Sequence, residues 1–259
     1  MANLDLLENS IPVAPLKLAA LPGSMEMAKK VDSYLVQFRK ELAERRNGVS
    51  FSGYSEDSFL IDCECPRFGS GEAKGKINES VRGADLYILV DVCNYSITYK
   101  VCGYENHMSP DDHYQDLKRI IAAATGKAHR INVIMPFIYE GRQHKRTKRE
   151  SLDCALALQE LMNMGVSNFI TFDAHDPRVM NAIPLGGFDT SCQLQFLKAL
   201  LVRSGSDDRQ RSSDDHQPGR GSDGACRILL QRARRRYGYV LQEKRLLHHR
   251  KRKEPDRGT

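Results

Sequence analysis

Long apolar runs are missing from this sequence: nothing in its 259 residues approaches the roughly 18 consecutive apolar residues needed to cross a bilayer. The amino terminus, MANLDLLENS, is acidic where a secretory leader is basic and then apolar. Both absences argue for a cytoplasmic chain with no membrane partner. Close-spaced cysteines are scarce too. The seven cysteines are scattered, and Cys63-Glu64-Cys65 is too tight for a Cys-x-x-Cys zinc half-site. Reduced thiols filling a core are the expectation in the cytosol. The body of the chain also lacks the basic excess of a nucleic-acid binder. The formal net charge is +6, but residues 203–259 hold 16 Lys and Arg against 8 Asp and Glu, which leaves the first 202 residues at −2.

What is present is an alternation of buried strands and amphipathic helices. Leu16 to Leu21 reads as a first strand, and Pro22-Gly23-Ser24 punctuates it, with Ser24 a candidate N-cap. Val31, Tyr34, Leu35, Phe38 and Leu42 then recur at helical spacing to about Arg46. Phe59 to Cys63 is a strand, Pro66 to Glu72 a turn-rich loop, and Lys76-Ile77 a short strand. Leu86 to Val92 is apolar on both faces, as in a central strand of a parallel sheet. A helix opening at Asp111-Asp112 and ending at Gly126 leads to a strand at Ile131–Pro136. Another helix, from about Glu150 to Met164, precedes the apolar run Asn168 to Phe172, which stops at Asp173-Ala174-His175. This succession predicts right-handed crossovers and an α/β fold with a parallel sheet and helices on both faces.

Ligands of such sheets bind beyond the carboxyl ends of the strands. Two polar constellations fall there: Tyr139 to Arg146 after one strand and Asp173-x-His175 after the next. Arg142, Lys145, Arg146, Lys148 and Arg149 beside Asp173 and His175 suit a polyphosphate with its Mg²⁺, because guanidinium forks match phosphate oxygens and carboxylate or imidazole can hold a hydrated cation. The same residues also suit a solvated loop of charges with a hydrogen-bonded histidine at a strand end. Each motif is too short to decide between them.

Their order along the chain is more specific. Pro66-Arg67-Phe68-Gly69-Ser70-Gly71-Glu72, Ile77 to Asp85, Arg142-Gln143 and Asp173-Ala174-His175 together resemble the motif series of the ribose-phosphate pyrophosphokinases, over roughly residues 15–200. The resemblance implies a phosphoribosyltransferase-like domain at 15–201, preceded by an extension at 1–14. It also implies transfer of the β,γ-diphosphoryl group of ATP to the C1 hydroxyl of ribose 5-phosphate, with Mg²⁺, in a homo-oligomer. Phe68 and Glu72 would then lie in a loop approaching the adenine of a neighbouring subunit, Arg142 and Gln143 would contact the nucleotide, and His175 would act at the Mg-ATP phosphates with Asp173 shaping the metal site. The sequence departs from the family pattern at Ser70 and His144, where the family has aspartate, and Tyr95 to Asp112 lacks the family's usual Asn-Asp-x-Leu-Met-Glu wording. These changes bear on nucleotide affinity. They leave a second reading, a non-catalytic regulatory homologue that binds nucleotide and associates with active subunits.

Beyond Leu201 the pattern disappears. Residues 202–259 mix Arg, Asp, Ser and Gly with few apolar residues, a composition that predicts disorder. A basic arm for nucleic acid is one reading of it. Reading the codons one base later gives another: degenerate codons for Tyr237 to Leu247 then permit MGMFYKRRDYS, and the shifted frame, from about Ser204 onward, resembles the start of the same family's second domain. A single frameshift near residue 202 is the expectation, with no nucleic acid as partner. The family's ribose-phosphate loop, two acidic residues followed by Thr-Gly-Gly-Thr, does not occur in the sequence.

Overall fold

The structure, a computed structural model, describes residues 12–45, 53–172 and 174–190. Asp173 and the expected tail from residue 202 lie outside the described residues, as does most of the expected extension at 1–14.

Strand β1 (Leu16–Ala20) leads through a 3-10 turn, Pro22–Ser24, into α1 (Met25–Arg45). Next come β2 (Leu60–Ile61), β3 (Cys63–Glu64), β4 (Lys76–Ile77), β5 (Asp85–Leu89) and the hairpin of β6 (Thr98–Val101) and β7 (Tyr104–His107). The chain continues with α2 (Pro110–Ala124), β8 (Arg130–Ile134), α3 (Asp153–Asn163), β9 (Val166–Thr171), a second 3-10 turn at Pro177–Ala182, and β10 (Gly187–Thr190). Six strands form one sheet in the order β10-β9-β8-β5-β1-β2. Every pairing in it is parallel.

The alternation of side chains in β1 and β5 divides the core in two. Ala19, Leu86 and Ile88 join Val133, Phe169 and the inner faces of α2 and α3. Leu18, Ala20 and Leu89 point the other way and pack with Ala28 and Val31 of α1. The sheet therefore carries helices on both faces, as its uninterrupted apolar strands require. Among the described residues, no helix is long and apolar enough to cross a membrane.

Local chemistry moved several boundaries. The expected strand from Phe59 to Cys63 is broken at Asp62, whose N–H donates to the Glu79 carboxylate at 3.1 Å while its carbonyl accepts from Asn78 N at 2.9 Å. Beyond that break, β3 leaves the main sheet and pairs antiparallel with β4. Ser24 is not an N-cap: its N–H donates to Leu21 O at 2.8 Å inside the 3-10 turn, and its buried hydroxyl finds no partner in the structure. The opening of α2 is set earlier than Asp111, by Ser109 and Asp112 in a reciprocal capping box with Pro110 at the first turn. Glu150 does not open α3, because its carboxylate is turned back onto Thr147. Sequence reading missed the β6–β7 hairpin, in which β6 alternates over only four residues and every residue of β7 is exposed.

At the amino ends of β5 and β8, Arg130 Nε donates to Asp85 Oδ1 at 2.9 Å and Asn132 Nδ2 to the same oxygen at 2.8 Å. Burial raises the Asp85 carboxyl, but these hydrogen bonds outweigh it and hold the group below its ordinary value of 3.8. Stability from this pair is therefore present above the unfolded value and is lost as pH falls through the lower folded one. Urea midpoints of wild type are expected to drop more steeply than those of Asp85→Asn between about pH 6 and about pH 3; parallel curves would show that the pair contributes nothing. Phe169, 0% exposed and stacked on Phe188 at 5.6 Å, supplies a second test. Phe169→Ala should cost about 3–5 kcal/mol in urea unfolding.

Candidate functional site

Parallel alignment brings the loops that follow β1, β5, β8 and β9 to one edge of the sheet. The chain crosses from β1 to β2 on one side and from β5 to β8 on the other, so direction reverses between β1 and β5 and leaves a crevice there. Its floor is locked by Asn94, whose Nδ2 donates to Gly23 O at 3.0 Å and whose carbonyl meets His113 Nε2 at 2.7 Å. Because a carbonyl only accepts, that ring nitrogen carries the proton. Asp91 Oδ1 accepts from Cys93 N at 3.0 Å and shapes the turn after β5.

The ends of β8 and β9 are tied at Pro136, whose carbonyl accepts from Phe172 N and from Thr171 Oγ1, each at 3.2 Å. The chain after Pro136 then turns tightly, with Glu140 in the left-handed region at φ 55° and Gln143 N donating to Glu140 O at 2.8 Å. This turn presents Arg142 to solvent beside Cys93. Burial and then Asp91 raise the Cys93 thiol, and the Arg142 guanidinium opposes them. Gln143 serves the loop itself: its amide donates to Ser151 O at 2.8 Å and closes the base of the 144–151 segment.

The two constellations expected from the sequence do converge. The rings of His144 and His175 lie 5.2 Å apart, and His144 Nε2 is 3.4 Å from Asp176 Oδ2. Asp176 also caps the turn Pro177–Ala182 and is gripped by Arg178, which together with His144 draws its carboxyl well below the usual carboxylate range; the Arg178 hydrogen bonds are the largest cause. Among the described residues, none of Arg142, Lys145, Arg146, Lys148 and Arg149 has an ion-pair partner. Five positive side chains thus fall within residues 142–149.

Phe68 and Glu72 sit elsewhere, on a hairpin held by Phe68 N donating to Glu72 O at 2.7 Å. Gly71, at φ 91°, makes its turn possible. The base is anchored by Arg67, which pairs with the buried Asp116 at 2.7 Å and lies 4.5 Å over the Tyr99 ring. Cys102 N donates to Gly69 O at 2.8 Å, so the β6–β7 hairpin braces this loop. Phe68 is left 53% exposed, while Glu72 accepts from the Ser70 hydroxyl at 2.9 Å. Among the described residues, no hydrogen bond, ion pair or ring contact joins this hairpin to the His144–His175 group.

A metal would need oxygen-rich ligands, and among the described residues no three His, Cys, Asp or Glu side chains gather to hold one. The Asp176 carboxylate is committed to Arg178 and His144. These residues alone do not fit a protein-held Mg²⁺, and Asp173 lies outside the described residues. A cavity of about 570 Å³ beneath α1 is not the site: its lining is chiefly apolar, with Asp85 and Arg130 at the opposite, amino end of the strands. Sequence reading missed the Asp176–Arg178 pair, although Asp176 before Pro177 carries a helix-start signal.

Comparison with known proteins agrees with this architecture. Residues 16–165 match the N-terminal domain of ribose phosphate pyrophosphokinase. Ribose-phosphate pyrophosphokinase B of Dictyostelium discoideum is 31% identical over 139 residues, covering 53% of this chain and 37% of that protein. A ribose-phosphate pyrophosphokinase of Chlorobaculum tepidum is 25% identical over 190 residues, 73% of this chain and 46% of its own. This chain thus spans less than half the length of these relatives. The crystal structure of phosphoribosylpyrophosphate synthetase from Mycobacterium smegmatis superposes with a TM-score of 0.57 at 21% identity, covering 75% of this chain and 54% of that one, which shows the shared fold. The chain belongs to the ribose-phosphate pyrophosphokinase family and carries that family's N-terminal domain at residues 16–165.

Proposed function

We propose that this domain receives the nucleotide of a diphosphoryl transfer from ATP to ribose 5-phosphate. The C1 hydroxyl oxygen would attack the β-phosphorus, the bond between that phosphorus and the α,β-bridging oxygen would break, and AMP would leave with that oxygen while the hydroxyl proton is lost. The observation that carries the reading is the loop after β8, with five cations that have no ion-pair partner among the described residues, whose His144 ring meets His175 of the next loop. Catalysis of this kind is positioning plus neutralisation of charge. Arg142 is the group to meet the phosphates, since its guanidinium is exposed at the turn that the β8 end fixes. His175 is the second, exposed on the adjacent loop. Mg²⁺ would come with the ATP phosphates, with His175 and Asp173 as the residues expected at the metal site.

Phe68 and Glu72 on their exposed hairpin would reach the adenine of a second subunit in a homo-oligomer. A cytoplasmic setting accords with the cysteines: Cys63, Cys65, Cys93, Cys102 and Cys154 are all free thiols. Burial pushes Cys63 and Cys154 up to about 11 and Cys65 to about 12, which suits inert core groups. The ribose-phosphate loop would lie in the second domain that the shifted reading frame encodes. On that reading this polypeptide binds nucleotide and does not complete the transfer, and neither nucleic acid nor membrane is its partner.

A non-catalytic regulatory role is the second reading, and two contacts favour it. The Glu72 carboxylate is engaged by Ser70 and the Gln143 amide by Ser151 O, so two expected nucleotide contacts are already in use.

Titration calorimetry with Mg-ATP should detect binding to this chain, weakened about 10- to 100-fold by Arg142→Ala, in line with the loss of a charged hydrogen bond. Unchanged affinity in that variant would remove Arg142 from the site. AMP release from ATP and ribose 5-phosphate should occur only in a version with the reading frame restored, and His175→Ala in that version should abolish it without unfolding the protein. ATP binding without AMP release in the restored protein would favour the regulatory role.

A further inference from the structure

We propose that His144 is a positioning residue that clasps the β8 loop to the β9 loop and so holds Arg142 and His175 in one anion-receiving site. Its functional meaning rests on the nucleotide reading above; its geometry rests on the contacts of a single ring.

His144 stands in an exposed stretch, yet its side chain is only 12% exposed. Its Nδ1 lies 3.1 Å from Arg142 O, and since a carbonyl can only accept, Nδ1–H is the donor. The opposite nitrogen faces Asp176 Oδ2 at 3.4 Å, and the ring meets that of His175 at 5.2 Å with 58° between planes. One imidazole thereby touches the peptide that carries Arg142 on one side and two residues of the β9 loop on the other.

The Asp176 end of this clasp is rigid. Its carboxylate accepts from Arg178 N at 2.9 Å and from Arg178 Nε at 3.0 Å, and Ala174 packs against the main core. The Arg142 end is closed by Gln143 onto Ser151. Among the described residues, no other hydrogen bond, ion pair or ring contact joins residues 142–151 to residues 174–178. A ring carrying N–H on both edges, as the imidazolium form does, can span two acceptors that neither a hydroxyl nor a carboxylate could bridge. Aspartate in its place would set two carboxylates against each other across this gap.

The test begins without nucleotide. Trypsin cuts after Lys145, Arg146, Lys148 and Arg149, so the rate of cleavage in that segment, followed by mass spectrometry on the full chain, reports opening of the loop. His144→Ala and Asp176→Asn are each expected to raise it about fivefold, with the double variant no faster than the faster single, because the two act through one contact. His144→Asp should open the loop most. In parallel, the Mg-ATP Kd should rise about fivefold in His144→Ala while the melting temperature stays within about 2 °C of wild type, a split that a merely structural role would not give. Cleavage unchanged in His144→Ala, additive effects in the double variant, or an unchanged Kd beside an opened loop would each overturn the proposal. If wild type binds no Mg-ATP, the nucleotide reading fails and the positioning role falls with it, while cleavage rates still decide whether the clasp exists.

Discussion

Burial of the central strands on both faces is the constraint from which the rest follows. Leu86 and Ile88 must be covered by α2 and α3, while Leu89 must be covered by α1. That requirement is met when each strand is followed by a helix crossing back over the sheet, which makes neighbouring strands parallel and sends all their carboxyl ends one way. The loops after β1, β5, β8 and β9 then share an edge whether or not their sequences have anything in common. Without this alignment His144 and His175, 31 positions apart in the chain, would have no reason to meet.

Charge is sorted along the strands in the same way. At the amino ends Arg130 is paired with Asp85, and on the helical surface Lys118 is paired with Glu160. At the carboxyl edge the cations of the 142–149 segment are left without ion-pair partners among the described residues. Unpaired like charges repel, so such a cluster lowers stability unless an anion relieves it. The polyphosphate proposed above would supply that anion. Asp176, beside this segment, is held by Arg178 and His144.

The Phe68 hairpin shows how an exposed aromatic is kept in place. Asp116 is buried and receives both Arg67 and Arg119, so the hairpin is bolted to α2 from below, and the β6–β7 hairpin supports it through Cys102 and Tyr99. Breaking one partner of such a buried group leaves a charge unpaired, which is why the three residues act as a unit. Rigid presentation of Phe68 to solvent fits a contact made outside the domain, and the domain is itself less than half of its curated relatives' length.

What the sequence by itself determined is the order and type of the main elements, because apolar periodicity records which faces are buried. The runs Leu86–Leu89, Ile131–Ile134 and Phe169–Thr171 all became central strands, and the described residues of the first expected helix, Met25–Arg45, are helical. The family was legible in the order of Phe68, Glu72, Arg142-Gln143 and His175, and so was the convergence of the loops after β8 and β9, since sequential strands tend to be neighbours. Only the tertiary structure decided what those side chains touch. Gln143 turned inward to its own loop, Ser70 engaged Glu72, and His144 found Asp176, because each contact depends on distances across turns that no local pattern encodes. The β6–β7 hairpin was hidden because β6 has only four residues and β7 is exposed throughout, and the break at Asp62 because it depends on Asn78 and Glu79 further along the chain.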